Sequence, residues 1–210
     1  MPGGDLSDFE FFFSFYGLLL GLSVAELVGG FSRVLHERQR VRFGWLTPLL
    51  ALFVAIDLAT FWNQAWRFFR DAPFNPALLL VGLVIAATFY IAASITFPRV
   101  TAEGVETRID LDDHFWAHRR VVFGCVLAAN AMVWALLGLL ALADPAWLAF
   151  WTPRLVFGVI LFAVCNATAA FAPQRGVVIG ALIVVLAYTL WNMVRAGSQL
   201  IAAGAWSPPV

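Results

Sequence analysis

The stretch WLTPLLALFVAIDLATFWNQAWRFF, residues 45–69, decides the fold class of this chain. It is long enough to cross a bilayer as a single helix, because a span needs about 20 mainly apolar residues. Asp57 lies in the middle of this stretch, and a carboxylate near the centre of a bilayer costs about 3 kcal/mol or more. An acid at such a position is a candidate functional site by default.

The whole chain has the composition of a membrane protein. Of its 210 residues, 62% are hydrophobic and 12% are charged, whereas soluble domains are about half apolar and about a quarter charged. The formal net charge is zero, so nucleic acid is not expected as a partner. All thirteen basic residues are Arg, and the absence of Lys excludes a Schiff-base cofactor.

The apolar runs predict an all-α, polytopic membrane protein with six transmembrane helices, which form a single domain over residues 1–210. Proline and glycine cluster in the polar segments between these runs, where they interrupt a helical pattern. The longest of these connections is about twenty residues, which leaves no room for a separate soluble domain. The predicted spans are 11–33, 45–68, 77–97, 119–143, 154–172 and 177–203.

Arginine is distributed unequally between the two sides of this predicted bundle. Cytoplasmic connections of membrane proteins carry the excess of Arg. The first, third and fifth connections are therefore predicted to be cytoplasmic, with both termini outside the cytoplasm and the chain in the inner (plasma) membrane. Nine arginines flank these three connections, namely Arg33, Arg38, Arg40, Arg42, Arg99, Arg108, Arg119, Arg120 and Arg175, against four on the other side, Arg67, Arg70, Arg154 and Arg195.

Spans 1–3 and 4–6 share faint similarities that suggest a weak 3+3 inverted repeat. Inverted repeats of this kind occur in many transporters, although apolar sequences also match easily by chance. The best match is a set of three residues at identical spacing in the third and sixth spans: Gly82, Ile85 and Tyr90, and Gly180, Ile183 and Tyr188.

Polar residues recur at helical spacing in three spans and predict three polar stripes. Such stripes must face protein or water, because lipid cannot satisfy them. We therefore expect them to turn inward, with Arg195 as a possible partner of Asp57 and with Asn130 and Asn166 at a depth similar to Asp57. The stripes are Ser23, Glu26, Gly30 and Arg33 in span 1, Asp57, Thr60, Gln64 and Arg67 in span 2, and Tyr188, Asn192, Arg195 and Gln199 in span 6.

These residues supply the candidate pathway or ion-binding site, which comprises Asp57, Glu26, Thr60, Gln64, Asn130, Asn166, Asn192 and Arg195. The competing interpretation is structural, because Asn and Gln within spans often only join helices, at roughly 0.6 kcal/mol each. Arg195 also fits an arginine that extends outward to the headgroups. For the two acids the functional interpretation is favoured, because intramembrane acids are costly to keep.

The third connection is the one segment that resembles a soluble site, with acids and histidines between residues 103 and 120. His114 and His118 are four residues apart and share one helix face, so they and Asp110 or Glu106 form a candidate divalent-metal site. The alternative is that the acids stabilise a helix N-terminus. No other cofactor and no catalytic residue are predicted.

Gly17 and Gly21 form a GxxxG motif, which allows two helices to approach closely. The motif predicts either a homo-oligomer interface or packing within one chain. The lipid bilayer is the other expected partner.

Three classes of function remain open. The favoured one is a small transporter or channel, in which Asp57 and Glu26 bind protons or cations along a polar pathway. The second is a non-catalytic membrane subunit or sensor, whose arginine-rich connections bind a partner or anionic lipid. The third is a membrane enzyme that uses the acidic–histidine segment, although the chain is more simply explained without enzymatic activity.

Overall fold

Six long helices make up nearly all of the structure, a computed structural model that describes residues 8–69, 76–99 and 109–202. Each helix is long and apolar enough to cross a membrane, so the predicted all-α class and the six apolar helices are confirmed and indicate a multi-pass membrane protein. The helices are α1 (Asp8–His36), α2 (Leu46–Phe69), α3 (Pro76–Thr96), α4 (Leu111–Ala143), α5 (Pro153–Phe171) and α6 (Arg175–Ala202).

Helix α4 begins at Leu111, eight residues earlier than the predicted start of the fourth span. Asp110 precedes it in an extended conformation and accepts a hydrogen bond from the backbone N–H of Asp112 at 2.8 Å. This side chain satisfies donors that the first turn of a helix leaves free. The polar start of α4 is therefore helical, although hydropathy alone excluded it from the span.

Helix α2 occupies the middle of the bundle. It contacts α1, α3, α4 and α6, and its Phe53 reaches Phe162 of α5, with ring centroids 6.0 Å apart. The other helices surround it in the order α1, α3, α4, α5 and α6, each packed against the next. The centre of α2, which carries Asp57, is therefore inside the protein rather than against lipid.

The first, third and fifth connections lie at one end of the bundle, which we call the basic end. Two short strands, β1 (Val41–Arg42) and β2 (Ile109–Asp110), pair in parallel there and join the first connection to the third. Arg175, which follows the fifth connection, forms an ion pair with Asp112 of α4 at 2.6 Å. We call the opposite end, where a 3-10 helix spans Pro145–Phe150, the far end.

The packing gives no support to the inverted repeat. Helix α1 packs extensively along α3, whereas the corresponding helices α4 and α6 do not pack together in this way. The matched residues also have different surroundings, since Ile85 is buried and Ile183 is 54% exposed. The shared spacing of these residues therefore does not correspond to a shared environment.

Candidate functional site

Asp57 lies on the buried face of α2 and is only 6% exposed. The residues one helical turn to either side are Phe53 and Phe61, both buried in the main hydrophobic core. This core is built from all six helices, and Val54 and Leu58 continue it along α2. The carboxyl group is thus placed in an apolar interior, as its position in the sequence predicts.

Asn130 of α4 provides the polar contact of this carboxyl group. Its Nδ2 donates to Oδ2 of Asp57 at 2.9 Å and to the carbonyl oxygen of Val126 at 3.0 Å. Asn130 is itself 7% exposed, so the hydrogen bond is closed off from solvent on both sides. The sequence predicted only a similar depth for Asp57 and Asn130, and the structure places the two side chains in direct contact.

No described cation balances the charge of Asp57. The buried charged side chains among the described residues are Asp57 and Arg119. Arg119 lies about three turns of α4 from Asn130, roughly 16 Å along the helix. Its guanidinium donates to the carbonyl oxygens of Ala169 and Ala172 at the end of α5, at 3.0 and 2.7 Å. It stabilises a helix end rather than a carboxylate.

Arg195, the expected partner of Asp57, is exposed on α6, and no ion pair joins it to Asp57. Helices α2 and α6 both start at the basic end, but Arg195 lies about six turns into α6 and Asp57 about three turns into α2. The polar stripe of α6 faces α5, because Asn192 accepts a hydrogen bond from Arg154 and the Tyr188 hydroxyl donates to the Arg154 carbonyl. The predicted Asp57–Arg195 pair is therefore wrong.

The rest of the predicted α2 stripe lies at the edge of the buried face. Thr60 is partly buried, and its hydroxyl donates to the carbonyl oxygen of Ile56 on its own helix at 2.9 Å. Gln64 is also partly buried, and the side chain of Arg67 lies outside the described part of the chain. Of the three stripe residues whose side chains are described, only Asp57 reaches the core.

Glu26 is not brought to Asp57. Its carboxylate pairs with Arg33 on the same helix at 3.4 Å, and its side chain is 26% exposed. Gly30, between these two residues, packs so closely against Phe97 that a Cβ atom there would lie 2.8 Å from the ring. Since Phe97 follows the end of α3, Glu26 lies about one turn inside the end of that helix, toward the basic end of the bundle.

Asn166 of α5 is buried at 2% exposure, but it lies nearer the basic end than the sequence analysis placed it. It comes one turn after Phe162 of α5, whereas Asp57 comes one turn after Phe53 of α2, and these two rings are in contact. Because α2 and α5 run in opposite directions, Asp57 and Asn166 lie on opposite sides of that contact, roughly 12 Å apart along the bundle axis.

The described part of the acidic–histidine segment, residues 109–120, connects the ends of several helices. Asp112 accepts a hydrogen bond from the first backbone N–H of α2, at Leu46, with a distance of 3.2 Å. Thr47 of α2 donates to the Leu111 carbonyl at 2.6 Å, and Nε2 of His114 donates to the carbonyl oxygen of Ile95 in the last turn of α3 at 3.0 Å. The N-terminal turns of α4 therefore connect α2, α3, α5 and α6.

The candidate metal ligands also bond to the backbone. Nδ1 of His118 donates to the carbonyl oxygen of His114 at 3.0 Å, and the two rings stack with centroids 4.2 Å apart. Asp110 caps α4 and pairs with Arg42 at 3.5 Å. Across residues 8–69, 76–99 and 109–202, no group of three potential ligands is placed to hold a metal ion. Glu103 and Glu106 lie outside these ranges, and the metal site stays a prediction.

The two glycines of the GxxxG motif have different surroundings. A Cβ atom at Gly17 would lie 2.8 Å from the ring of Trp62, so this glycine serves packing between α1 and α2. At Gly21 nothing lies within 4 Å of such an atom. Only Gly21 is therefore open to a second chain.

Sequence reasoning missed the role of Arg119, which it counted among the arginines that flank the predicted cytoplasmic connections. It also overlooked the aromatic residues on both sides of Asp57. A signal for the second feature was available, because Phe53 and Phe61 stand four residues before and after the acid and must share its helix face. No known family, curated protein or solved structure matches this chain.

Proposed function

We propose that this protein is a small proton-coupled transporter or channel in which Asp57 binds and releases a proton. The observation that carries the proposal is the buried carboxyl group with an amide as its polar partner and no described cation beside it. An isolated carboxylate in an apolar interior costs far more than a neutral carboxylic acid. Asp57 is therefore neutral in this conformation and becomes charged only when water or a cation reaches it.

Asn130 positions this carboxyl group in both protonation states. An amide N–H can donate to an oxygen of a carboxylate and also to the carbonyl oxygen of a carboxylic acid. The second N–H of Asn130 bonds to its own helix at Val126, which fixes the orientation of the amide. Asn130 therefore keeps the Asp57 carboxyl group in place in both its charged and its neutral form.

The other titratable groups in this core are poorly suited to exchange a proton near neutral pH. They are Tyr16 and Cys165, both buried, and Cys125, which packs partly buried against the same cluster. A phenol and a thiol ionise only in the alkaline range, so a carboxyl group is the member of this set suited to exchange near neutral pH. The core therefore supports a single exchangeable proton.

The basic end faces the cytoplasm in this proposal, with both termini outside and the chain in the inner membrane. The support is the excess of arginine at that end.

The proposed pathway is narrower than the set of polar residues in the spans. It contains Asp57, Asn130 and Asn166, whereas Glu26, Thr60, Gln64, Asn192 and Arg195 belong to its edges or to helix contacts.

The alternative function, a membrane subunit or sensor that binds anionic lipid or a partner, is favoured by a different observation. Arg38 and Arg120 are exposed near the basic end, and no ion pair engages either of them within the described residues. Basic side chains at this level attract anionic headgroups, at about 1 kcal/mol each. Binding to anionic vesicles that is lost in R38Q/R120Q, with no proton flux in the wild type, would select this alternative.

Proton flux into proteoliposomes containing Asp57→Asn tests the proposed function. We expect this variant to fold, because asparagine has nearly the same shape, and to lose flux completely, because an amide does not exchange a proton. The matched control is Asp113→Asn, which makes the same change at an exposed acid in the first turn of α4. Undiminished flux in Asp57→Asn, or equal loss in both variants, would contradict the role of Asp57.

A further inference from the structure

Asn166 carries a buried hydrogen-bonding atom that the protein does not use. Its Nδ2 donates to the carbonyl oxygen of Phe162 at 2.8 Å. Its Oδ1 is buried and has no hydrogen-bond partner within the described part of the chain. Buried polar atoms in folded proteins are nearly always satisfied, by protein or by ordered water. This oxygen therefore points to a small donor, and water is the smallest that fits a buried polar position.

A cluster of three aromatic rings separates Asn166 from Asp57. Phe53 of α2 contacts both Phe162 of α5 and Phe123 of α4, with centroid distances of 6.0 and 5.8 Å. We call Phe53, Phe123 and Phe162 the inner aromatic cluster. Asp57 lies one turn from Phe53 toward the far end, and Asn166 lies one turn from Phe162 toward the basic end.

A second cluster lies on the other side of Asp57. Phe61 of α2 contacts Phe89 of α3 and Tyr16 of α1, with centroid distances of 5.1 and 5.6 Å. We call these three residues the outer aromatic cluster. Helix α2 thus places one aromatic ring a turn before the carboxyl group and another a turn after it, each packed against two further helices.

The buried polar side chains are distributed unequally about Asp57 and Asn130. All the others that the structure describes lie toward the basic end, and toward the far end the buried core contributes only the Tyr16 hydroxyl. Water follows polar atoms into a protein interior. The basic-end group consists of Ser23, Thr47, Thr96, Arg119 and Asn166.

We propose that Asp57 exchanges its proton with the basic end, through water bound at Asn166, and that the inner aromatic cluster is the barrier to this step. The inference rests on the proposed function and adds the side of the membrane with which Asp57 exchanges its proton. When the cluster opens, a hydronium ion on the Asn166 side gives its proton to the Asp57 carboxylate and is left as water. The reverse step returns the proton to the same side, so the net flux of the proposed function needs a further exchange of Asp57 with the far end.

Proton exchange at Asp57 from each side of the membrane tests this route. The protein is placed in proteoliposomes of known orientation, pH is changed on one side, and the infrared band of the Asp57 carboxyl group is followed. Asn166→Leu removes the water-binding oxygen at similar volume, and we expect about tenfold slower exchange from the basic end, the effect of roughly one lost hydrogen bond on a barrier. Asn192→Leu, the same change near the far end, leaves the rate unchanged.

A second variant keeps the test decisive if Asn166→Leu does not fold. Phe53→Ala opens the inner cluster and speeds exchange from the basic end, whereas Phe61→Ala in the outer cluster does not. Exchange that is unaffected by Asn166→Leu or Phe53→Ala, or that is fast only from the far end, would overturn the route and leave Asp57 as the exchanging group. Absence of any exchange at Asp57 in the wild type would overturn the proposed function itself.

Discussion

The basic end and the middle of the bundle treat the same residue type in opposite ways. At the basic end, Asp112 accepts a backbone N–H from Leu46 and pairs with Arg175, and Asp110 caps α4 and pairs with Arg42. In the middle, Asp57 receives a single amide hydrogen bond from Asn130. Among the described residues, only the basic end supplies its acids with cations and free backbone donors.

These two environments suit different roles for an acid: stabilising the fold at the basic end, and exchanging a proton in the middle of the bundle. A carboxylate that accepts backbone N–H groups and pairs with a cation makes charge-assisted contacts that contribute to folding. A carboxyl group with one amide in an apolar core gains little from its charge and has to be kept for another reason. This contrast supports a stabilising role for the acids at the start of α4 and is consistent with the proton exchange proposed for Asp57.

The largest loss of stability is expected for Arg119→Leu. This change removes two charged hydrogen bonds to the last carbonyl oxygens of α5, and we expect the free energy of unfolding to fall by about 3 kcal/mol. Unfolding in detergent micelles measures this. Arg120→Leu is the control, because Arg120 is exposed and its cation lies 5.8 Å from the Phe171 ring. A similar loss in both variants would mean that the hydrogen bonds to the carbonyl oxygens of Ala169 and Ala172 are not what matters.

A smaller loss is expected for Asn130→Leu, because it removes the only described polar partner of Asp57. Leaving a buried carboxyl group unsatisfied costs about 2 kcal/mol. In an Asp57→Leu background the same change should cost little, since both polar groups are then gone. Comparison of the four proteins by unfolding gives the coupling between the two residues. Additive losses would show that the 2.9 Å contact contributes nothing.

Asp110→Ala tests the cap of α4, and we expect a loss of about 1 kcal/mol, typical of an N-terminal cap. The measurement is again unfolding in micelles. Asp110→Asn is the matched variant, because asparagine caps a helix about as well as aspartate does. Asp110→Asn should therefore retain most of the stability, and an equal loss in the two variants would assign the effect to the carboxylate charge instead.

The smallest effect is expected for Arg42→Gln. Arg42 pairs with Asp110 at 3.5 Å, but its side chain is 79% exposed. Exposed ion pairs contribute little, so the expected loss of unfolding free energy is below about 0.5 kcal/mol. A loss comparable to that of Asp110→Ala would show that the ion pair, and not the cap, stabilises the start of α4.

Much of the fold follows from the sequence, because hydropathy and length fix where helices lie in such a chain. The inward orientation of Asp57 and its similar depth to Asn130 also follow, since polar groups in the middle of apolar helices must face protein or water. The direct contact between these two residues does not follow, because the sequence pointed to Arg195 as the partner. The orientation of the α6 stripe does not follow in this way. Tyr188, Asn192 and Arg195 lie toward the far end, where partners other than the core are available.

Arg119 shows a second limit of sequence reasoning. Its position at the predicted end of a span fits an arginine directed to the headgroups, and nothing local reveals the free carbonyl oxygens of α5 that it binds. Those carbonyls lie about fifty residues away in the chain. Tertiary contacts of this kind decide whether a terminal arginine is exposed or buried.

The protonation state of Asp57 tests the central claim most directly. Infrared difference spectra of the wild type against Asp57→Asn, recorded at neutral pH in lipid, distinguish a carboxylic acid from a carboxylate, and exchange into heavy water shifts the band of the acid. We predict a protonated carboxyl band that is present in the wild type, absent in Asp57→Asn and unchanged in Asp113→Asn. A carboxylate band assigned to Asp57 under these conditions would contradict the claim.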